Sequence, residues 1–423
     1  MKIHFFVALV LLPFLFVSSE ILKIAIAPYL LWMLFQKDFK YIPALFLYSA
    51  TGTTISFLIL VGCLIIAILN YRKYLTIQTR VLFILSLIPL PIMIFNVGQR
   101  FFILQQSFLE VVPFTFYYLG LFPFFYSLLI KNVKINVLYN YIFVISLLTV
   151  ILQYLFFKDL VFLGTVYLAI PFFVAHLFLY RSLRRIGYSI YLFYIAVFVS
   201  FLGLTGIISL TTGLLFSALI ASLIAAYYQF RSRLSLLIPG ILIFVTFSIV
   251  IFAISTFDDS KVIQSESKSL ETDLNILDIN SIVSRAKFKL LEDRAPLWSA
   301  AFIKFVNNGS LWPVKSNEDL IYGIQSFDSY YEVDLAAHNL YLELVRNYGI
   351  IAGIVISISY LSMIFKGFLP LTRGFENSKI VILSSLVISI GIYSTMGGQF
   401  PLMGFFSFIF MGLAGYMYKQ SYK

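Results

Sequence analysis

The chain is 423 residues long, with 61% hydrophobic, 18% aromatic and 12% charged residues, and its mean hydropathy is +0.96. Soluble domains carry about 25% charged residues, so the composition excludes an ordinary soluble domain and points to a polytopic membrane protein. The formal net charge of +11 does not indicate a nucleic-acid partner, because the basic residues fall in short gaps between apolar runs.

In chain order, apolar segments fall at 4–18, 21–36, 44–69, 80–96, 111–130, 137–157, 160–180, 188–208, 212–229, 235–255, 340–365, 378–396 and 400–418. Each approaches the length of about 20 residues that a helix needs to cross a bilayer, and none alternates in polarity as a membrane strand does. The predicted fold class is therefore all-α and polytopic, with about 12–13 transmembrane helices. The first segment follows Lys2 and ends before Ser18-Ser19. It has the outline of a secretory signal, but in a chain that keeps crossing it reads as an uncleaved first helix.

Basic clusters occupy every second gap: Arg72, Lys73 and Arg80; Lys131 and Lys134; Arg181, Arg184 and Arg185; Arg231 and Arg233; Lys366, Arg373 and Lys379. That alternation is the positive-inside pattern and makes these gaps cytoplasmic. It places the gap after residue 255 outside and the C-terminal Lys419 and Lys423 inside. Counting backward puts the N-terminus on the wrong side, unless one early segment fails to span or Gly52 divides 44–69.

Three domains follow: an N-terminal helix bundle (1–255), a large extracytoplasmic loop (256–337) and C-terminal transmembrane helices (338–423). The loop holds most of the nineteen acidic residues. Its first part is polar; its second carries Leu297, Ala300, Ala301, Ile303 and Phe305 at helical spacing, an amphipathic helix by pattern. An outer loop of about 80 residues is long enough to suggest function.

There is one cysteine, Cys63, and no CxxC, HExxH, P-loop or GxSxG pattern. The sequence predicts no metal and no cofactor. Polar residues do collect where the loop re-enters the membrane, in "AAHNLYLELVRNYGIIAG" (Ala336–Gly353). His338 and Asn339 open the helix, and Arg346 follows about 12 Å further along its axis at 1.5 Å per residue. Glu343 and Arg346 have the spacing of a pair. Ionisable residues at this depth cost roughly 2.5–3.5 kcal/mol each and face a bundle interior or a wet cavity. The plain alternative is that His338-Asn339 cap a helix and Glu343–Arg346 is an interfacial pair.

This segment resembles the signature of the O-antigen ligase and O-antigen polymerase superfamily: His338, Asn339, Tyr341, Leu342 and Gly349, with Ala352 where a second glycine is usual and Gly353 after it. "RAPLWSAA" resembles the same family's Arg-x-x-x-Trp-x-x-Ala block at Arg294, Trp298 and Ala301. An Arg-Gly turn block is represented by "LTTG", with Gly213 present and the arginine missing. The resemblance implies an inner-membrane glycosyltransferase of polysaccharide polymerase type, its active site facing the periplasm or outside. Such an enzyme moves a chain from an undecaprenyl-diphosphate-linked oligosaccharide onto a lipid-linked repeat unit. The implied partners are that donor, membrane lipid, a flippase and a chain-length regulator. An O-antigen ligase, with lipid A–core as acceptor, is the alternative. A lipid-linked oligosaccharide flippase fits less well, because the ionisable residues gather on one side.

On this reading His338 and Arg294 are catalytic, and Arg346, Arg100, Asn339, Tyr341 and Trp298 bind diphosphate or sugar. A diphosphate leaving group needs fixed cations, and arginine offers a permanently charged planar fork. Arg100 stands in an outer gap, where positive-inside placement gives it no reason to be; the plain alternative is that it snorkels. Trp298 and Trp312 either anchor the loop at the interface or stack on sugar. His176 reads as a packing histidine, and His4 carries no signal.

The topology is testable by thiol labelling in a Cys63-free background. Cysteine at Ser267 should react with an impermeant reagent added from outside, and cysteine at Ser182 should not. The reverse pattern overturns the orientation.

Overall fold

The computed structural model describes residues 2–17, 20–49, 53–75, 77–103, 105–156, 170–176, most of 217–225, Trp298, 322–326, 329–333, 339–372, 377–396 and 405–421. The polar first part of the outer loop, the segments at 188–208 and 235–255, Arg294 and His338 lie outside the described residues. The described chain is built from helices, with one small antiparallel hairpin, β1 (Tyr322–Ser326) and β2 (Ser329–Val333). Tyr322 pairs with Val333 and Ser326 with Ser329. The hairpin falls in the outer loop, where the sequence suggested no strands.

The N-terminal helices are α1 (Lys2–Val17), α2 (Glu20–Ala25), α3 (Ala27–Gln36), α4 (Ile42–Ser49) and α5 (Thr53–Leu69). Then come α6 (Ile77–Leu87), α7 (Leu90–Phe102), α8 (Phe108–Leu119), α9 (Phe122–Leu129) and α10 (Ile135–Phe156). After the loop follow α11 (Leu340–Thr372), α12 (Ser378–Met396) and α13 (Phe405–Gln420). The two helical parts interlock: α13 packs on α9 and α4, and α11 packs on α6, α7 and α8.

Basic residues from separate gaps meet at one end of this bundle. Lys37 Nζ donates to Asn70 Oδ1 at 3.1 Å, and the Lys131 amide donates to the Lys37 carbonyl at 3.0 Å. Lys419 Nζ reaches the carbonyls of Leu128 and Ile130, and Lys366 Nζ reaches the Tyr418 hydroxyl. The Lys37–Asn70 contact brings the two ends of the 44–69 segment together, so that segment does not cross once. It is divided into α4 and α5, and the chain turns back on itself. The His4 ring lies 4.9 Å from that of Tyr41, which puts the start of α1 at the same basic end.

Helices here are broken more often than the hydropathy segments suggest, and side chains meet the backbone near the breaks. Pro89 and Pro91 separate α6 from α7, and the Tyr118 hydroxyl donates to the Ser86 carbonyl. Tyr126 donates to the Leu34 carbonyl at the end of α3, and Tyr74 to the Phe125 carbonyl. In an apolar surrounding such carbonyls must be satisfied from within the protein.

On the described helices many large apolar side chains face outward. On α7 the buried positions include Asn96, Gln99 and Arg100, whereas Ile94, Phe95 and Phe102 face outward. Ile351, Ile354 and Ile358 form an outward stripe on α11. This polarity is opposite to that of a helix packed against water. Among the described residues, two helical stretches are long and apolar enough to cross a membrane, Thr79–Phe102 and Leu340–Leu371.

Candidate functional site

The site forms where α7 meets the start of α11. Asn96, Gln99 and Arg100 lie at i, i+3 and i+4 and so share one face; all three are buried. Arg100 is only 3% exposed, although Phe102 two residues later is 86% exposed. Its Nε donates to Asn96 Oδ1 at 2.9 Å and its Nη1 to Gln106 Oε1 at 3.3 Å. The Gln106 amide returns a bond to the Arg100 carbonyl at 3.0 Å. A guanidinium held inside the protein in this way does not snorkel.

Asn339 is the N-cap of α11. Its Oδ1 accepts from the amides of Tyr341 and Leu342 at 3.0 and 3.2 Å, which satisfies donors that every helix start leaves open. Its Nδ2 donates to the Thr395 carbonyl at 3.0 Å, tying this helix start to the end of α12. The capping alternative therefore holds for Asn339. Glu343 follows in the first turn, where a carboxylate suits the helix dipole.

Arg346 Nη1 donates to Glu343 Oε1 at 3.2 Å, and both side chains are largely buried. Asn347 Nδ2 donates to the Glu343 carbonyl at 2.9 Å and to Glu343 Oε2 at 3.3 Å. Asn96 Nδ2 donates to the Asn347 carbonyl at 2.5 Å, between residues 251 positions apart in the chain. One buried chain of hydrogen bonds thus runs from Arg100 through Asn96, Asn347 and Glu343 to Arg346.

The glycines of the motif explain this arrangement. Gly349 has φ 77° and ψ 172°, a conformation open essentially to glycine alone, and it breaks α11 into 340–348 and 350–372. A Cβ on Gly353 would lie 2.6 Å from Val345 Cα and 2.7 Å from Val345 N, so the second helix packs back against the first. The predicted segment 340–365 therefore does not run as one straight helix, although the break falls after Arg346 and leaves Glu343 and Arg346 on one unbroken stretch. The short first helix has its own direction, set by the break.

Two of the sequence-selected arginines, Arg100 and Arg346, are brought into one network, and Asn339 and Tyr341 open the helix that carries it. Tyr341 is buried against the core. Trp298 is helical and wholly buried, and its Nε1 finds no hydrogen-bond partner among the described residues. A ring without exposed surface is no interfacial anchor. Trp312 lies outside the described residues. His176 sits among Tyr139, Phe143 and Phe172, hydrogen-bonded to the Tyr139 hydroxyl, as a packing histidine does. His4 bonds the Tyr29 hydroxyl at 2.7 Å.

Sequence reasoning missed Asn96, Gln99 and Asn347. The signal was present, since three polar residues at i, i+3 and i+4 in an apolar helix define a buried polar face. Gln99 Oε1 and Asn347 Oδ1 are buried and accept no hydrogen bond among the described residues. The site therefore offers guanidinium donors suited to an anion together with acceptor oxygens suited to hydroxyl groups. Comparison of the chain with protein-family models, with curated proteins and with solved structures finds no match.

The glycine argument predicts a stability order. Gly349→Ala should cost roughly 1–3 kcal/mol through backbone strain, and Gly353→Ala should be at least as damaging through its clash with the Val345 backbone. Gly412→Ala, where an added Cβ meets nothing within 4 Å, should leave the thermal midpoint of the purified protein unchanged.

Proposed function

We propose that the chain is a polytopic inner-membrane polysaccharide polymerase of the O-antigen type, with its active site at the outer face. It would transfer a glycan from undecaprenyl diphosphate to a lipid-linked repeat unit. The observation that carries this reading is the buried network uniting Arg100 with Arg346, directly after the His338-Asn339 pair. Both arginines suit diphosphate chemistry, and they come from distant parts of the chain. The apolar exterior and the gathering of lysines at the opposite end support a membrane protein with this site outside.

In the reaction the acceptor hydroxyl oxygen attacks the anomeric carbon of the donor sugar. The bond from that carbon to the diphosphate oxygen breaks, and its electron pair leaves with the diphosphate. His338 takes the hydroxyl proton, its imidazole being the one side chain that ordinarily titrates near neutrality. Arg294, Arg346 and Arg100 offset the charge developing on the leaving group. Gln99 and Asn347 carry acceptor oxygens that would hold sugar hydroxyls. Asn339 orients the helix start next to His338.

Replacing His338 by Ala should leave single repeat units and no long chains, with the protein still in the membrane, whereas His176→Ala should leave chain length close to normal. Normal polymer from the His338 variant would remove it from the mechanism.

The arginines test whether shape as well as charge is required. Arg294→Lys should keep a little activity and Arg294→Gln essentially none, while Lys289→Gln is tolerated; an exposed ion pair contributes at most about 1 kcal/mol and would not show this pattern. Arg346→Gln alone leaves Glu343 buried without its partner, which destabilises by roughly 3–5 kcal/mol in buried pairs. The double variant Glu343→Gln, Arg346→Gln restores neutrality. Folded double-variant protein that makes no polymer is the expected result, and wild-type polymer length from it would show that the pair is structural only.

A further inference from the structure

The basic end of the bundle carries a second arrangement of charges, well away from the network at the outer end. Lys37, Lys73 and Lys131 come from three different gaps and converge there. The gaps are joined by the backbone: the Lys131 amide bonds the Lys37 carbonyl, and the Phe39 amide bonds the Lys131 carbonyl at 3.3 Å. The Lys37 side chain bridges to the third gap through Asn70 Oδ1. Lys37 holds a left-handed backbone, φ 51°, where residues other than glycine are uncommon.

Among the described residues no carboxylate forms an ion pair with Lys37, Lys73 or Lys131. The nearby Asp38 lies 3.9 Å from Lys40 and gives its Oδ1 to the Lys40 amide. Burial first, then the neighbouring Lys73 and Lys131 charges, hold the Lys37 ammonium below the ordinary lysine range. Positive-inside topology explains why lysines occur at this end, but not why three gaps are bonded together so that their charges repel.

The surface leading to the cluster is apolar. Trp32 and Phe35 on α3, and Ile65, Ile68 and Leu69 on α5, are exposed. They lie in the last turns before the lysines. The two helices pack closely, with Gly62 facing Leu34 and Leu31.

We propose that this cluster is a binding site for the phosphate of an anionic phospholipid in the cytoplasmic leaflet, with the acyl chains lying along the exposed residues of α3 and α5. Basic pockets between helices on the cytoplasmic side suit such headgroups. The site rests on the membrane reading of the chain and is independent of glycosyl transfer.

The test uses the full chain, purified in mild detergent and reconstituted into nanodiscs of phosphatidylcholine doped with phosphatidylglycerol, cardiolipin or neither. Lipid retained after extraction is measured by native mass spectrometry. The wild type should retain both anionic lipids over phosphatidylcholine. Each lysine near the phosphate contributes roughly fivefold in binding. Lys37→Gln, Lys73→Gln and Lys131→Gln should each lower retention by about that factor, and the triple variant by roughly a hundredfold. The triple Lys→Arg variant should retain lipid. Lys379→Gln, which removes a lysine held over the Tyr139 ring on another helix pair, should change retention less than twofold.

Equal retention of phosphatidylglycerol and phosphatidylcholine by the wild type would overturn the proposal, and this arm decides alone if a variant fails to fold. A loss from Lys379→Gln equal to that from the cluster variants would assign the effect to diffuse charge and also overturn it. Displacement of the lipid by inorganic phosphate at equal concentration would make the ligand a free anion instead. A chain that fails to sediment with membranes would defeat the membrane reading itself, a result distinct from all of these.

Discussion

The bond from Asn96 to the Asn347 carbonyl is the contact on which the end of the bundle that holds the candidate site depends. It lies two residues before the break at Gly349 and joins α7 to α11 across 251 positions of chain. Where the exterior is apolar, water does not reach a broken helical ladder, so a side chain from the neighbouring helix must meet the backbone. Asn96 does so while its other amide atom accepts from Arg100. A backbone requirement and the orientation of a cation are thus set by one residue. Tyr118, Tyr126 and Tyr74 meet backbone carbonyls in the same manner elsewhere, which makes it a general device of this fold.

The helical class and the gathering of lysines at one end were legible in the sequence because hydrophobic length and charge placement are both one-dimensional signals. The breaks were not. Gly349 reads in sequence as one of several spaced glycines, and its positive φ is known only once α11 turns and Gly353 packs against Val345. Gly52 was a visible candidate for dividing 44–69, but hydropathy could not choose between that and a failed early span. In the structure α4 ends at Ser49 and α5 begins at Thr53, and the contact of Lys37 with Asn70 brings the flanks of this segment together. Hydropathy averages over residues and does not register where a helix changes direction.

The candidate site was half legible for a similar reason. Charged residues stand out in an apolar chain, so Arg100, Glu343 and Arg346 were found. Amides carry no charge and little hydropathy signal, so Asn96, Gln99 and Asn347 passed unnoticed, although Asn96 and Asn347 form most of the connections. The pairing of Arg100 with the Asn347 segment is a long-range contact, and no local spacing encodes it.

The energetics of the Glu343–Arg346 pair bear on why such a network persists. Desolvating two charges costs several kcal/mol each, and well-packed apolar residues of similar volume are often as stable or more so. A chain that needed only to close its bundle had cheaper solutions at these positions, as the isoleucine stripe on the second half of α11 illustrates. Arg100, held by two amide oxygens instead of placed in water, poses the same question. Both guanidiniums are fixed by hydrogen bonds before any ligand arrives, so the cost of orienting them is met in folding and not at the moment of binding. That preorganisation is what stabilisation of a developing diphosphate charge requires, and it is the physical reason to read the polar end of α7 and α11 as a site, not as an accident of packing.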